Sequence, residues 1–171
     1  MKNVAVFGAG RIGRIHASNL AALPGVTLKY VSDPMAQYAG ELAQKFGAQV
    51  ATIEDVFADK SVDAVAICSS TDTHSDLITR AAKAGKHIFC EKPVAVDGAG
   101  IRKCLDAYEE AKKKNLCIVA GTQRRHQNGY LETIKRLHDG AIGDIVAGRC
   151  YWNQGPIWFR PRREGQTDVQ Y

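Results

Sequence analysis

Short apolar runs alternate along most of this chain with segments whose apolar residues recur at helical spacing. That pattern predicts parallel strands joined by crossover helices. Strands are expected at residues 3–8, 26–32, 48–51, 63–68, 86–90 and 116–120, with helices at 11–23, 35–46, 53–59, 74–84 and 98–114. Pro24-Gly25, Gly47 and Gly85 stand where helices should stop, and Asp97 is placed to cap the helix carrying Ile101, Leu105, Tyr108 and Ala111. Near-continuous apolar strands read as buried on both faces. The expected class is therefore α/β, a doubly wound parallel sheet with helices on either side.

Beyond about Gly121 the pattern changes. A helix over 127–138, with Tyr130, Ile134 and Leu137 on one face, ends at Asp139-Gly140 and leads into an expected strand at 144–152. These read as the first helix and strand of an incomplete α+β second domain, which divides the chain into a nucleotide-binding domain over 1–122 and the start of a second over 123–171. One helix and one strand cannot bury their own apolar faces, and a lone strand leaves its edge unpaired. Pairing of that strand with another subunit, in a homo-oligomer, is one expectation, and a fragment of a longer protein is the other. Trp152, Trp158, Phe159 and Tyr171 are expected either to pack between subunits or to sit in a mobile tail.

The chemistry begins at the first turn. Gly8-Ala9-Gly10-Arg11-Ile12-Gly13 follows the apolar run Val4-Ala5-Val6-Phe7 and opens the first helix, and Asp33 stands twenty residues after the last of these glycines. Strand, G-x-G-x-x-G turn, helix and distant acid together outline a dinucleotide site. Gly8 suits the tight turn, Gly10 lets backbone approach a pyrophosphate, and Gly13 lets helix pack closely on strand. The helix N-terminus adds unpaired N–H groups and partial positive charge. Asp33 closes the second strand, where its carboxylate can accept from ribose hydroxyls and would repel a 2′-phosphate. Pro34, Met35, Ala36, Gln37 and Tyr38 supply no compensating cation. NAD is expected in preference to NADP.

Composition narrows the picture without redirecting it. The 171 residues are 45% hydrophobic and 24% charged, ordinary for a globular chain able to bury one full core. The formal charge of +5 is partly local, in Lys112-Lys113-Lys114 and in Arg160, Arg162 and Arg163. The lysines follow Glu109 and Glu110 at helical spacing and read as a solvated helix end. Basic and aromatic residues are not interleaved on one surface, so no nucleic acid partner is expected. Five cysteines show no C-x-x-C pair and no metal-ligand spacing. Cys68, Cys90 and Cys117 fall in or at the ends of expected buried strands, where a thiol serves as a small apolar group. Free thiols, first residues Met1-Lys2-Asn3 that lead directly into the first strand, and the lack of any run of membrane-spanning length lead to the expectation of a cytoplasmic protein with no membrane association.

Glu91-Lys92-Pro93 follows the fifth strand, and Ser69-Ser70-Thr71-Asp72-Thr73-His74 follows the fourth. With the glycine turn, these resemble the glucose-fructose oxidoreductase and inositol dehydrogenase family (Gfo/Idh/MocA), over residues 1 to about 159. The first part looks especially like the family's bacterial inositol dehydrogenases. Residues 120–126 and 151–154 look more like its planctomycete-type oxidoreductases. The resemblance implies a Rossmann fold and an NAD-dependent oxidoreductase that transfers hydride between nicotinamide and a secondary alcohol of a sugar, polyol or inositol-like substrate. A non-catalytic dinucleotide sensor is the rival reading.

It further implies cofactor contacts from Gly8, Gly10, Arg11, Ile12, Gly13 and Asp33, from Ser69, Thr71 and His74, from Glu91 and Lys92, and from Arg124. Lys92 is the implied catalytic group, placed between nicotinamide and substrate hydroxyl, and Glu91 the implied partner of the nicotinamide ribose. An ammonium beside a positive nicotinamide in a partly desolvated pocket is suited to relay a proton as hydride leaves carbon. Local alternatives stand beside some of these roles: Thr73 as a helix cap with His74 packed at the first turn, and Arg124 and Arg125 as solvent-facing partners. Pro93 fixes its loop, where a cis Lys92-Pro93 bond is allowed. His16 reads as a core histidine or one that supports other site residues rather than a catalyst, and His87 and His138 carry no signal. The family's further catalytic aspartate and histidine, one helical turn apart in the second domain, find no match, since no histidine follows Asp168.

Overall fold

The computed structural model describes residues 1–155 and 161–167. Trp158, Phe159, Arg160, Asp168 and Tyr171, singled out above, lie outside the described residues. The chain divides into two units, Met1–Gln127 and Asn128–Tyr171.

In the first unit the alternation of apolar runs and helical segments becomes β1 (Lys2–Phe7), α1 (Arg11–Ala22), β2 (Val26–Ser32), α2 (Ala36–Phe46), β3 (Gln49–Val50) and α3 (Ile53–Ala58). It continues through β4 (Ala64–Ile67), α4 (Thr71–Lys83), β5 (His87–Cys90), α5 (Gly98–Lys113) and β6 (Ile118–Ala120). The six strands form one sheet in the order β3-β2-β1-β4-β5-β6, and every pairing is parallel. This is the doubly wound topology expected from the sequence. Its strand order reverses between β1 and β4, which opens a crevice at the carboxyl ends of those two strands.

Alternation along β1 divides the core. Ala5 and Phe7 pack with Val65, Ile67, Ile88 and Cys90 against Leu77, Ile78, Ala81 and Ala82 of α4 and Ala107 and Ala111 of α5. Val6 turns to the other face and packs with Leu28, Val31 and Ala66 against Ala17 of α1 and Ala39, Leu42 and Ala43 of α2. Helix stops fall where the glycines predict them: Gly25, Gly47 and Gly85 all have positive φ, and the Asp97 carboxylate caps α5 by accepting from the amide of Gly100 at 2.6 Å.

Four expectations are corrected. Helix α4 begins at Thr71 rather than 74. Its first turn is polar and so invisible to apolar periodicity, and the cap position is Ser70 rather than Thr73, whose hydroxyl instead donates to the Ser70 carbonyl at 2.8 Å. Of the row Ile101, Leu105, Tyr108 and Ala111, helix α5 buries only Ala111, the other three being 42%, 60% and 52% exposed. Beside Ala111 it buries the small residues Gly100 and Ala107, and at Gly100 a Cβ would come within 2.8 Å of the Ala95 Cβ. Cys117 is exposed, whereas Cys90 is buried and Cys68 half-buried. Burial pushes both the Cys68 and Cys90 thiols up to about 12, which makes them inert.

The fourth correction concerns the second unit. The helix there, α6 (Asn128–His138), forms as expected, but residues 145–152 form no strand. No described segment pairs with them, and an extended segment without a partner gains no ladder hydrogen bonds. None of the α6 residues is buried. Among the described residues no helix is long and apolar enough to cross a membrane.

At the amino ends of the strands a polar cluster fixes the loop between α3 and β4. Lys29 donates to Asp59 at 2.6 Å and to the Ser61 hydroxyl, while the ammonium of Lys86, only 3% exposed, donates to the carbonyls of Asp59 and Val62 at 2.6 and 2.9 Å. The Lys29 ammonium, helped by the hydroxyl and amide of Ser61, holds the Asp59 carboxyl well below the usual carboxylate range. A depressed carboxyl stabilises the fold at pH values above its unfolded pKa of about 4, and that contribution is lost as pH falls toward the folded value. Asp59→Asn is therefore expected to lower the urea midpoint at pH 7, with the gap to wild type narrowing on acidification below about pH 4. A gap independent of pH would contradict this role for Asp59.

Candidate functional site: the carboxyl rim of the sheet

The glycine turn is built from two backbone contacts that side chains would prevent. Gly8 has φ +95°, and a Cβ on it would meet the Cys68 carbonyl oxygen at 2.6 Å and the Ser69 amide at 2.7 Å. A Cβ on Gly13 would stand 1.8 Å from the Gly8 carbonyl oxygen, so α1 can pack onto the turn only without a side chain there. Gly10 differs. It precedes α1 in extended conformation with no side-chain cap, and a Cβ on it would meet nothing within 4 Å. The space beside Gly10 and the uncapped amides at the start of α1 make a cradle suited to a pyrophosphate. Arg11 and Ile12 form the first turn of α1, Arg11 exposed and Ile12 half-buried.

Asp33 closes β2, and both of its carboxylate oxygens are engaged. One accepts from the Ala9 amide at 2.7 Å, inside the glycine turn, and the other from the Met35 amide at 2.8 Å. The acid thus ties the turn after β1 to the end of β2, a link that sequence spacing does not reveal. A cleft of about 880 Å³ runs from Gly8 and Asp33 past Val50 and Ile53 to Ser69, Ser70 and Thr73 at the start of α4. Its lining is acidic, with Asp33, Glu54, Asp55, Asp72 and Asp76 against a single Arg80. That arginine is itself paired with Glu54 at 2.7 Å and Asp76 at 3.7 Å. A 2′-phosphate would meet uncompensated negative charge there, whereas a ribose diol would meet acceptors.

On the other side of the turn, Glu91 and Lys92 follow β5. Glu91 is half-buried and accepts from, or shares a proton with, His16 Nε2 at 2.7 Å. Gly121, just past β6, lies under its carboxylate: a Cβ there would come within 3.0 to 3.1 Å of the carboxyl carbon and both oxygens. Lys92 is exposed, its amide donates to Glu91 Oε2 at 3.2 Å, and the Lys92-Pro93 bond is cis.

His74 does not reach the rim. It is 1% exposed, and its two ring nitrogens lie 2.7 Å from the Pro93 carbonyl and 3.0 Å from the Ser69 carbonyl. It joins the loop after β4 to the loop carrying Lys92, closer to the packed alternative than to a direct cofactor contact. Ser69 and Thr71 are half-buried at the start of α4, where the Ser69 hydroxyl lies 2.7 Å from that of Thr73. Arg124 lies exposed in a short 3-10 turn over Gln123–His126. Among the described residues no group of His, Cys, Asp and Glu could hold a metal ion.

The site residues converge from the ends of β1, β2, β4 and β5, as a dinucleotide site at the switch point requires. Comparison with known proteins gives the same architecture a lineage, since residues 2–122 match the profile of the GFO_IDH_MocA oxidoreductase family, described as an NAD-binding Rossmann fold. The chain belongs to the Gfo/Idh/MocA family. Among its curated Gfo/Idh/MocA relatives, an inositol 2-dehydrogenase of Rhizobium meliloti is 39% identical over 140 residues, spanning 82% of this chain and 42% of that protein. A myo-inositol 2-dehydrogenase of Thermotoga maritima is 37% identical over 142 residues, again 82% and 42%.

Among solved structures of the family, scyllo-inositol dehydrogenase from Lactobacillus casei with bound NAD(H) and scyllo-inositol superposes with TM-score 0.77 and 27% identity, over 85% of this chain and 43% of that one. A myo-inositol dehydrogenase from Corynebacterium glutamicum gives 0.76 and 36%, over 84% and 43%. The chain thus spans about two fifths of the length of the relatives it matches.

The glycine contacts separate folding from binding. Gly13→Ala is expected to cost several kcal/mol of stability, because the added carbon overlaps a carbonyl held in the turn. Gly10→Val should keep the wild-type unfolding free energy within about 0.5 kcal/mol while weakening NADH at least tenfold, by filling the cradle. Equal effects of the two substitutions on stability would contradict this division.

Proposed function

We propose that the chain is the cofactor-binding part of an NAD-dependent dehydrogenase that exchanges hydride between nicotinamide and a secondary alcohol of an inositol, sugar or related polyol. The observation that carries this reading is the position of Lys92 and Glu91, directly after β5 on the same rim as the glycine turn, in a chain whose relatives are named inositol dehydrogenases.

Bound NAD supplies the hydride acceptor. Gly10 and the first turn of α1, Arg11 and Ile12 included, receive the pyrophosphate, and Asp33 with the acidic cleft receives the adenosine ribose. Glu91 grips the nicotinamide ribose. Lys92 sits at the substrate hydroxyl, which donates to its amine nitrogen; as the hydride leaves carbon the amine takes the hydroxyl proton, becoming an ammonium that releases the proton to solvent. Ser69, Thr71 and Arg124 border the cofactor, and His74 braces the loop that carries Lys92. Cytoplasmic location and self-association through residues 144–152 belong to the same reading, the latter supported by the exposure of Val146, Tyr151 and Trp152.

Two measurements test it. NADH is expected to bind at least tenfold more tightly than NADPH in calorimetric titrations, because the acidic cleft lacks a free cation for the extra phosphate. Equal affinity would remove the argument for NAD. Lys92→Ala should keep NAD affinity within about threefold and, in a dehydrogenase that joins this part to a complete substrate domain, slow oxidation of myo- or scyllo-inositol by roughly 10²- to 10⁴-fold, the range for losing a positioned acid–base group. Oxidation at the wild-type rate would instead favour a role for the fold in sensing dinucleotide without Lys92 chemistry.

A further inference from the structure

The strongest unassigned feature of the rim is the contact between α1 and Glu91. His16 lies one turn beyond Gly13 on the helix whose start forms the phosphate cradle. Its ring packs at a tilt of 54° on Phe89 of β5, with centroids 4.8 Å apart. Phe89 and Glu91 are two residues apart along an extended segment, so they share one face of it, and His16 meets both. The imidazole is therefore held by packing on the strand, and its Nε2 reaches Glu91 Oε1 at 2.7 Å with both side chains 23% exposed. From below, Gly121 lets the carboxylate settle against backbone, and from its own chain the Lys92 amide reaches Oε2. Three elements fix one carboxylate.

We infer that His16 is a positioning residue for Glu91: it sets the carboxylate that grips the nicotinamide ribose and so couples the phosphate-turn helix to the nicotinamide end of the site. The inference rests on the assignment of Glu91 to that ribose under Proposed function. Glutamate has three side-chain torsions, and leaving them free would oblige the cofactor to order them on binding. Hydrogen bonding from the helix side occupies Oε1 and leaves Oε2, with only a 3.2 Å bond from the Lys92 amide, able to accept from a ribose hydroxyl. Support of this kind, from a side chain that itself touches no ligand, is what keeps a binding group in productive geometry.

The test compares NADH with ADP, which carries the adenosine and phosphates but no nicotinamide ribose, by calorimetric titration of the 171-residue chain. His16→Ala is expected to weaken NADH about tenfold, the scale of one charge-assisted hydrogen bond, and to leave ADP within about twofold. His16→Gln, whose amide can still donate to Glu91, should return NADH to within about threefold of wild type. In the double variant with Glu91→Ala, removing His16 should add no further loss. Unchanged NADH affinity in His16→Ala overturns the inference, as does an equal loss of NADH and ADP, which would mean that His16 only stabilises the helix. Failure of His16→Gln to recover affinity while folding normally overturns it as well. A wild-type chain that binds NADH no more tightly than ADP would instead overturn the Glu91 assignment, and the inference with it.

Discussion

The approach of α1 to the turn after β1 is the constraint on which the rest of this molecule depends. The Gly13 Cα faces the Gly8 carbonyl with no room for a methyl group, and Gly8 in turn rests on the backbone at Cys68 and Ser69. Three consecutive pieces of the rim, the β1 turn, the α1 N-terminus and the loop after β4, are thereby locked at backbone distance. Asp33 extends the lock to β2 through the Ala9 amide. Backbone contacts of this kind are stiff because they involve no side-chain torsions, which is why a phosphate site built from them is formed before any ligand arrives.

From that fixed turn the site spreads in two directions along the carboxyl rim. Toward β2 and β3 lies an acid-lined cleft whose one cation, Arg80, is already paired, an arrangement that offers acceptors to hydroxyls and repels a phosphate. Toward β5 and β6 lie Glu91, held by His16 and seated over Gly121, and Lys92 exposed beside it. The sheet order explains the division: β1 at the switch point puts the phosphate turn in the middle, with β2 on one flank and β4 and β5 on the other. A single parallel sheet therefore spreads two groups of side chains along one edge, Asp33 with the acidic cleft on one flank and Glu91 with the exposed Lys92 on the other.

Much of this was legible in the residues alone. Strand β2 runs over Val26–Ser32 as its apolar stretch predicts, and the glycines at 25, 47 and 85 end helices in the left-handed conformation that favours glycine. The glycine turn announced itself by its spacing, and two of its three glycines, Gly8 and Gly13, answer a steric demand of the fold while Gly10 leaves open space. What escaped was information that only tertiary contact supplies. The first turn of α4 is polar and has no apolar period. The face of α5 that packs is its small-residue face, Gly100, Ala107 and Ala111, which apolar periodicity under-weights.

The segment 144–152 has the composition of a strand but no partner among the described residues, and strand formation is a property of pairs. Within the site, spacing placed Glu91, Lys92 and Asp33 at strand ends but could not show that His16 reaches Glu91 across seventy-five positions, or that His74 turns inward. An alternation-based reading of residues 87–91 together with the helical phase of α1 was the one signal able to suggest the first of these. The most direct measurement of the central claim is an amide NMR titration of the chain with NADH. The account predicts that the largest shifts fall on the amides from Gly8 to Arg14, with Asp33 and Glu91 next. Shifts centred elsewhere on the sheet, with the glycine turn unmoved, would contradict it.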